Sequence, residues 1–382
     1  MNYLNRYLND ESYMADKHKL GDLWIVYTKS EDRVYYSSEI DNSLCFTAIE
    51  DNASVQMRLK DSGNTPAGWQ DKSFYYKKND DVEWTEWVFE NNTTSLITLD
   101  EGEKLYVMSD SYNSCAVHCD GTIDECKYYY FNISGGKISA SGNIMSLLNF
   151  TPVLPNYAFY QLFQDCTSLV SAPDLPVTTL TEGCYKSMFS GCRSLTQVPE
   201  LPATTLAASC YSGMFTNCSS LVSVPALPAT TLADSCYYQM FFGCSSLVSA
   251  PELPATTLAS NCYLGMFSNC SSLTQAPALP ATTLAEGCYQ SMFGRCSSLT
   301  KAPELPATTL VKSCYNQMFR GCSKLNYIKA LFTTKPSGTY TKRWVSGVPL
   351  RGTFVKSSAT TWNVTGVRGI SGIPILWKVT TV

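Results

Sequence analysis

The second half of the chain repeats itself. Cys184, Cys210, Cys236, Cys262, Cys288 and Cys314 are spaced by 26 residues, as are Cys192, Cys218, Cys244, Cys270, Cys296 and Cys322, a series that Cys166 extends backwards. Residues 181–310 form five full units that read xxxCYxxMFxxCxSLxxxPxLPATTL. A degenerate unit precedes them from Tyr157 (YAFYQLFQDCTSLVSAPDLPVTTL), and a half unit follows from Val311 (VKSCYNQMFRGCSKLNYIKAL). Fixed self-similarity of this length predicts a solenoid. A unit has about nine apolar side chains, each worth ~1.5–3 kcal/mol when buried, against an ordering cost of ~1–2 kcal/mol per residue. One unit alone should therefore not fold, whereas stacked units cover each other's open ends. At a strand-like spacing of ~4.8 Å, six or seven coils make a rod of about 30–35 Å.

Within a unit, Cys210, Tyr211, Met214, Phe215 and Cys218 fall at i, i+1, i+4, i+5 and i+8, which predicts one face of a short helix. Pro199 and Pro202 interrupt Leu195, Val198 and Leu201, so any strand there is short, near Ser194–Val198. The Pro-x-x-Pro run continues as an extended, polyproline-like segment. Thr204, Thr205 and Leu206 read as a second extended piece.

Three roles compete for the cysteines. Zinc sites favour Cys-x2–4-Cys pairs, but the spacings here alternate 8 and 18. Cys210 and Cys218 would lie ~12 Å apart along a helix, too far for a disulfide, and an in-register ladder would offer each thiol two equal partners. The favoured reading is a small inward-facing hydrophobe repeated as the rungs of a ladder. Elsewhere, CAVHCDGTIDEC groups Cys115, His118, Cys119 and Cys126, where zinc, a disulfide and neither all stay open. Cys45 stands alone and reads as core.

The MFxGCxSL run followed by a proline-rich strand resembles the BspA-like leucine-rich repeats of bacterial surface proteins, over roughly Tyr157–Lys329. It lacks an Asn ladder, and its unit is a little longer than usual. The resemblance implies a right-handed solenoid with one β-face and one helical or irregular face. It also implies adhesion or recognition rather than catalysis.

Residues 43–150 contain short, often alternating runs (CFTAIE, SVQMRLK, SFYYKK, SLITLD, KLYVMS, KYYYFNIS, KISASG) split by polar turns, which predicts a β-sandwich. Trp84 and Trp87 are its core or rim aromatics. The segment is similar to the β-sandwich module that often precedes these repeats. Residues 1–42 read as a helix capped near Asp10, a turn at Gly21 and a hairpin (LWIVYT, KSED, RVYYSS). They are too short to fold well alone. They are similar to the N-terminal segments that attach phage fibres to a particle, which implies docking on a virion capsid or tail protein and self-association, with a trimer as the expected oligomer. After Lys329 the period is expected to stop, and residues 331–382 read as a C-terminal β cap to which Trp344, Phe354, Trp362 and Trp377 contribute. The fold class is thus mainly β with short helices: an attachment segment (1–42), a β-sandwich (43–150), a leucine-rich-repeat solenoid (151–330) and a cap (331–382).

Composition narrows the function. Charged residues are 16% and the net charge is −4, with no basic block, which argues against nucleic acid and polybasic membrane docking. No run of 18 apolar residues suggests membrane insertion, and the N-terminus has no secretory-signal pattern. With only His18 and His118, the chain offers no Ser-His-Asp set, phosphate loop or zincin motif. No cofactor or metal is expected. Glu200, Glu252 and Glu304 recur by register and read as a solvated stripe, and identical coils cannot give two carboxylates unlike environments. Comparing units shows where residues vary: the pairs after CY and after MF. These outward positions carry Tyr238, Phe242, Leu264, Arg295 and Arg320, the candidate ligand-binding residues, with Gln197, Gln275 and Lys301 beside the proline edge. The expected function is a non-enzymatic phage fibre or decoration protein at the virion surface, whose repeats meet a host-surface protein or glycan. A bacterial cell-surface adhesin is the alternative.

Overall fold

The computed structural model describes residues 23–27, 32–36, 42–61, 72–81, 83–110, 127–151, 153–363, 365–366 and 371–382. It is mainly β, with 25% of residues in strands and 2% in helix. Strands β1 (Leu23–Tyr27) and β2 (Asp32–Tyr36) form the expected antiparallel hairpin, Leu23 opposite Tyr36. The other features expected within residues 1–42, including the helix near Asp10, lie outside the described residues.

Ten strands follow: β3 (Leu44–Ala48), β4 (Ala53–Lys60), β5 (Phe74–Lys78), β6 (Thr85–Glu86), β7 (Phe89–Glu90), β8 (Thr93–Thr94), β9 (Ile97–Leu99), β10 (Lys104–Ser109), β11 (Tyr128–Ser134) and β12 (Ile138–Ser141). They form two sheets, β12-β3-β10-β5-β6 and β11-β4-β8-β7 with β9 beside β4. Alternation sends Leu44, Phe46 and Ala48 inward from the first sheet, and Tyr129, Phe131 and Ile133 from the second. The sheets meet through edge-on ring pairs, Phe46–Phe131 at 5.0 Å and Phe74–Tyr129 at 4.9 Å. Trp84, Trp87 and Cys45 are buried, and the Trp87 indole donates to the Ser95 carbonyl. A short 3-10 helix, Ile144–Leu148, closes this part.

No linker separates the sheets from the repeats. β12 pairs in parallel with β13 (Leu169–Ser171) in the first coil. The Phe131 N–H donates to the Leu162 carbonyl, and the Phe131 ring stacks on Phe163 at 5.2 Å. One core runs from Leu44 to Trp377, and the sheets cover the open end of the first coil as a stacked array requires.

The short helices expected in each unit are absent, and the segment forms a ribbon of consecutive turns. In the second full unit, the N–H groups of Cys210, Ser212, Met214, Thr216 and Cys218 donate three residues back at 3.0–3.3 Å. Those of Ser209, Tyr211, Gly213, Phe215 and Asn217 donate to carbonyls 25 residues ahead, in the next coil, at 2.7–3.0 Å. Every fourth residue is left-handed: Ser209 (φ 55°), Gly213 (63°) and Asn217 (60°). An α-helix spends its N–H groups internally, whereas the ribbon leaves half of them to tie each coil to its neighbour. Burial follows a period of four, so Cys210, Tyr211, Met214, Phe215 and Cys218 are all inside. Their rings form two ladders. Tyr185, Tyr211, Tyr237, Tyr263, Tyr289 and Tyr315 stack at 5.7–6.0 Å. Phe163 through Phe319 stack at 5.2–5.8 Å.

On the opposite face the coils meet as parallel backbone. Where prolines remove donors, only single bridges form, such as Ser171 with Gln197, Thr179 with Thr205 and Ser249 with Gln275. A continuous strand appears at β14 (Lys301–Leu305), whose neighbour β15 (Tyr327–Ala330) carries no proline.

The expectation that the period ends after Lys329 is corrected. β15 pairs in parallel with β16 (Thr353–Lys356), and β16 with β19 (Lys378–Thr381), so Lys301, Tyr327, Thr353 and Lys378 stand in register. Between them lie β17 (Thr365–Gly366) and β18 (Ile373–Pro374). The ribbon also continues: Gln317 donates to the Lys342 carbonyl, Phe319 to Trp344 and Gly321 to Ser346. The backbone keeps the coil after the Cys-Tyr-Met-Phe signature is gone, because Trp344, Phe354 and Trp362 fill the interior instead.

Candidate functional site

The ribbon fixes which side chains face out. Within each turn of four, two residues enter the core and two point away, and a given outward position recurs once per coil. The column after MF reads Ser190, Thr216, Phe242, Ser268, Gly294 and Arg320, and the next reads Gly191, Asn217, Gly243, Asn269, Arg295 and Gly321. Two small residues, Ser268 and Gly294, thus sit between two large ones, Phe242 and Arg320. The result is a depression of 240 Å³ that Phe242, Leu264, Arg295 and Arg320 border. Four of the five candidates therefore come together. Tyr238, half-buried, does not line it. Phe242 and Leu264 are half-buried, and Arg295 and Arg320 are exposed. Gln239, Ser268, Gly294 and Gln317 also line it and were not singled out from the sequence. The small ones were findable as gaps in a column.

Charge distinguishes this face. The six ribbons that run from Tyr185, Tyr211, Tyr237, Tyr263, Tyr289 and Tyr315 to the next cysteine contain no Asp or Glu. None of the ion pairs among the described residues uses Arg295 or Arg320; they join Lys78–Glu103, Lys127–Asp61, Lys137–Glu50, Lys312–Glu286 and Lys329–Glu304. Arg320 Nη1 donates to Gln317 Oε1 at 2.9 Å, which holds the guanidinium at the rim.

A second concavity of 690 Å³ lies on the proline edge, with Gln275, Lys301, Glu304, Tyr327 and Lys329 among its walls. Its charges are mutually occupied: Lys329 pairs with Glu304 at 2.9 Å, and the Lys301 ammonium lies 5.2 Å from the Tyr327 ring. Gln197 is exposed three coils before Gln275, outside this concavity. Glu200, Glu252 and Glu304 are all exposed.

The repeat cysteines are buried and free. Those of the second series donate S–H to the phenylalanine carbonyl of the preceding coil: Cys192 to Phe163, Cys218 to Phe189, Cys244 to Phe215, Cys270 to Phe241, Cys296 to Phe267 and Cys322 to Phe293, at 3.0–3.1 Å. Each thiol is therefore a hydrogen-bonding rung that must stay protonated. Burial pushes the thiols up, to about 12 at Cys166, Cys184, Cys244, Cys262 and Cys322. Thiols held so far from ionisation make poor nucleophiles and metal ligands. Cys115, His118, Cys119 and Cys126, like His18, lie outside the described residues. Among the described residues no three His, Cys, Asp or Glu side chains converge as a metal set, and no helix is long and apolar enough to cross a membrane.

Comparison with protein-family models, with curated proteins and with solved structures gives no match to this chain. The reading of its function therefore rests on the residues themselves.

Proposed function

We propose that this chain is a non-enzymatic adhesion protein, a leucine-rich-repeat-like solenoid that presents its turn-ribbon face to a ligand on a host or mucosal surface. The observation that carries the reading is the convergence of Phe242, Leu264, Arg295 and Arg320, the outward positions that differ between units, around one depression. The ladders beneath it hold these side chains at fixed spacing, so the surface is organised before a ligand arrives. Against catalysis, the buried thiols are held protonated, and Glu200, Glu252 and Glu304 recur at equivalent exposed sites. In the proposed setting the chain is a phage fibre or decoration protein, with residues 1–42 attaching it to a capsid or tail protein and the whole assembling as a trimer. That setting rests on the resemblance of those residues to fibre attachment segments. A bacterial surface adhesin would use the same face.

Two measurements test the proposal. Light scattering on the full chain and on a chain starting at Asp41 should give a trimer and a monomer; a monomer in both cases removes the self-assembling fibre. Retention on mucin-coated and bacterial surfaces should fall when Phe242, Leu264, Arg295 and Arg320 are replaced together by Ser. Undiminished retention would move adhesion away from this face.

A further inference from the structure

Arg295 stands at a backbone position that does not suit it. The equivalent residues of the other coils are Asp165, Gly191, Asn217, Gly243, Asn269, Gly321 and Gly347, all with φ between 58° and 79° except Gly347 at 84°. Gly, Asn and Asp are the residue types that tolerate this left-handed region. Arg295 adopts φ 61° with a long side chain and no compensating ion pair. The ribbon imposes the same left-handed turn on Gln239, Gln317 and Arg343 (φ 49°, 56° and 54°), so what sets Arg295 apart is only that its column is otherwise kept to Gly, Asn and Asp. Beside it, the floor at Gly294 is closely packed backbone: a Cβ there would be crowded, 3.1 Å from Ser268 Oγ and 3.3 Å from the Ser291 carbonyl.

Given the adhesion reading above, on which this inference rests, we infer that the depression takes an acidic saccharide. Its carboxylate or sulfate would lie between Arg295 and Arg320, and the apolar face of its ring against Phe242 and Leu264. The two guanidinium groups are without carboxylate partners, on a stretch of surface whose segments from each ladder tyrosine to the next cysteine carry no Asp or Glu. Planar donors of this type suit carboxylate and sulfate oxygens. Gln239, Asn269 and Gln317 add amides at the walls for hydroxyl groups. Phe242 and Arg320 are three coils apart, about 14 Å at strand spacing, so the apolar and the cationic ends are separate features of one ligand. An acidic peptide fits less well. Extended peptides commonly dock by pairing with free backbone edges, and here alternate N–H groups are spent on the next coil while the rest close turns.

The test uses the full chain and ligand-observed NMR titration. The probes are 3′-sialyllactose and 6′-sulfated lactose, with lactose, inorganic sulfate and a ten-residue polyglutamate as comparators. Both charged sugars should bind at least tenfold more tightly than lactose or sulfate. Arg320→Ala and Arg295→Gly should each cost at least tenfold, and Arg193→Ala, an exposed arginine outside the depression, should change nothing. Arg295→Gly should also raise the melting temperature, because glycine relieves the left-handed strain; loss of binding in a more stable protein cannot be ascribed to misfolding. Equal affinity for lactose, tighter binding of polyglutamate, indifference to both arginine changes, or no binding of either charged sugar would each overturn the inference. Adhesion to surfaces that the charged sugars fail to inhibit would overturn it while leaving the adhesive function in place. Sugar binding by a chain that adheres to no surface would do the reverse.

Discussion

Raising the pH should unfold this protein in one steep step between about pH 9 and pH 10. The thirteen repeat cysteines, the fourteen described ones less Cys45, are all buried and all thiols. Burial raises each of them, to about 12 at Cys166, Cys184, Cys244, Cys262 and Cys322 and well above the ordinary value at Cys192, Cys210, Cys218, Cys270, Cys288 and Cys296. A folded value above the unfolded one gives a contribution that is complete below the unfolded value and is lost as the pH rises toward the folded one. With an unfolded thiol near 9, each cysteine favours the unfolded chain by about 0.4 kcal/mol at pH 9 and about 1.4 kcal/mol at pH 10. Summed over the ladder this is roughly 5 kcal/mol at pH 9 and roughly 18 kcal/mol at pH 10, against a net stability of about 5–15 kcal/mol. The buried tyrosines of the neighbouring ladder shift the same way, Tyr185, Tyr211, Tyr263, Tyr289 and Tyr315 being held well above their ordinary range by burial. The assay is a pH titration under reductant that reads backbone circular dichroism and thiolate ultraviolet absorbance on the same sample. Both signals should change together, with an apparent proton number of many. Gradual thiolate formation centred near the ordinary cysteine value, with unchanged circular dichroism, would refute the reasoning, since it would mean that the thiols meet solvent in the folded chain.

Three further outcomes follow from the ladders and their ends. Phe215→Ala removes a fully buried ring from between Phe189 and Phe241 and should cost about 3–5 kcal/mol, read from urea unfolding; a loss under 1 kcal/mol would mean that the stack closes over the gap. Tyr237→Phe deletes a buried hydroxyl that has no hydrogen-bond partner and should leave the melting temperature unchanged or raise it, because an unsatisfied buried polar group costs about 1–3 kcal/mol; a fall would reveal a partner in solution. Trp344→Ala removes a buried indole that donates to the Gly372 carbonyl and packs between Phe332 and Phe354. It should destabilise by about 3–5 kcal/mol, read from urea unfolding; a loss under 1 kcal/mol would mean that Phe332 and Phe354 close over the gap.

The repeat was legible because stacking forces identical coils to solve one packing problem again and again, so Tyr211, Met214, Phe215 and Cys218 announce themselves through Tyr237, Met240, Phe241 and Cys244. What each segment does locally was less legible. Apolar residues at i, i+1, i+4, i+5 and i+8 fit a helical period of 3.6 nearly as well as the period of 4 that the ribbon uses, and nine residues are too few to separate the two. The discriminating signal lay in the outward positions: Gly213 and Asn217, then Asn261, Gly265 and Asn269, place left-handed-tolerant residues four apart, where a helix would gain nothing from them. The candidate site was legible as a set of varying columns, but the depression itself arises from Ser268 and Gly294, residues that matter by being small.

The C-terminal coils carry the same lesson further. Between β15 and β16 the cysteine, tyrosine and methionine rungs vanish, yet Arg343 and Gly347 keep the left-handed positions (φ 54° and 84°), and Thr339, Tyr340, Lys342, Trp344 and Ser346 still accept the ribbon bonds of the coil before. Large indoles fill these coils instead: Trp344, Trp362 and Trp377 are buried, and their N–H groups donate to the Gly372, Phe332 and Pro349 carbonyls, so each fills the interior while satisfying a backbone carbonyl. The sequence motif reports the side chains that a coil shares with its neighbours. The backbone path is set by the hydrogen bonds between coils, and it outlasts the motif because those bonds need only the left-handed turns.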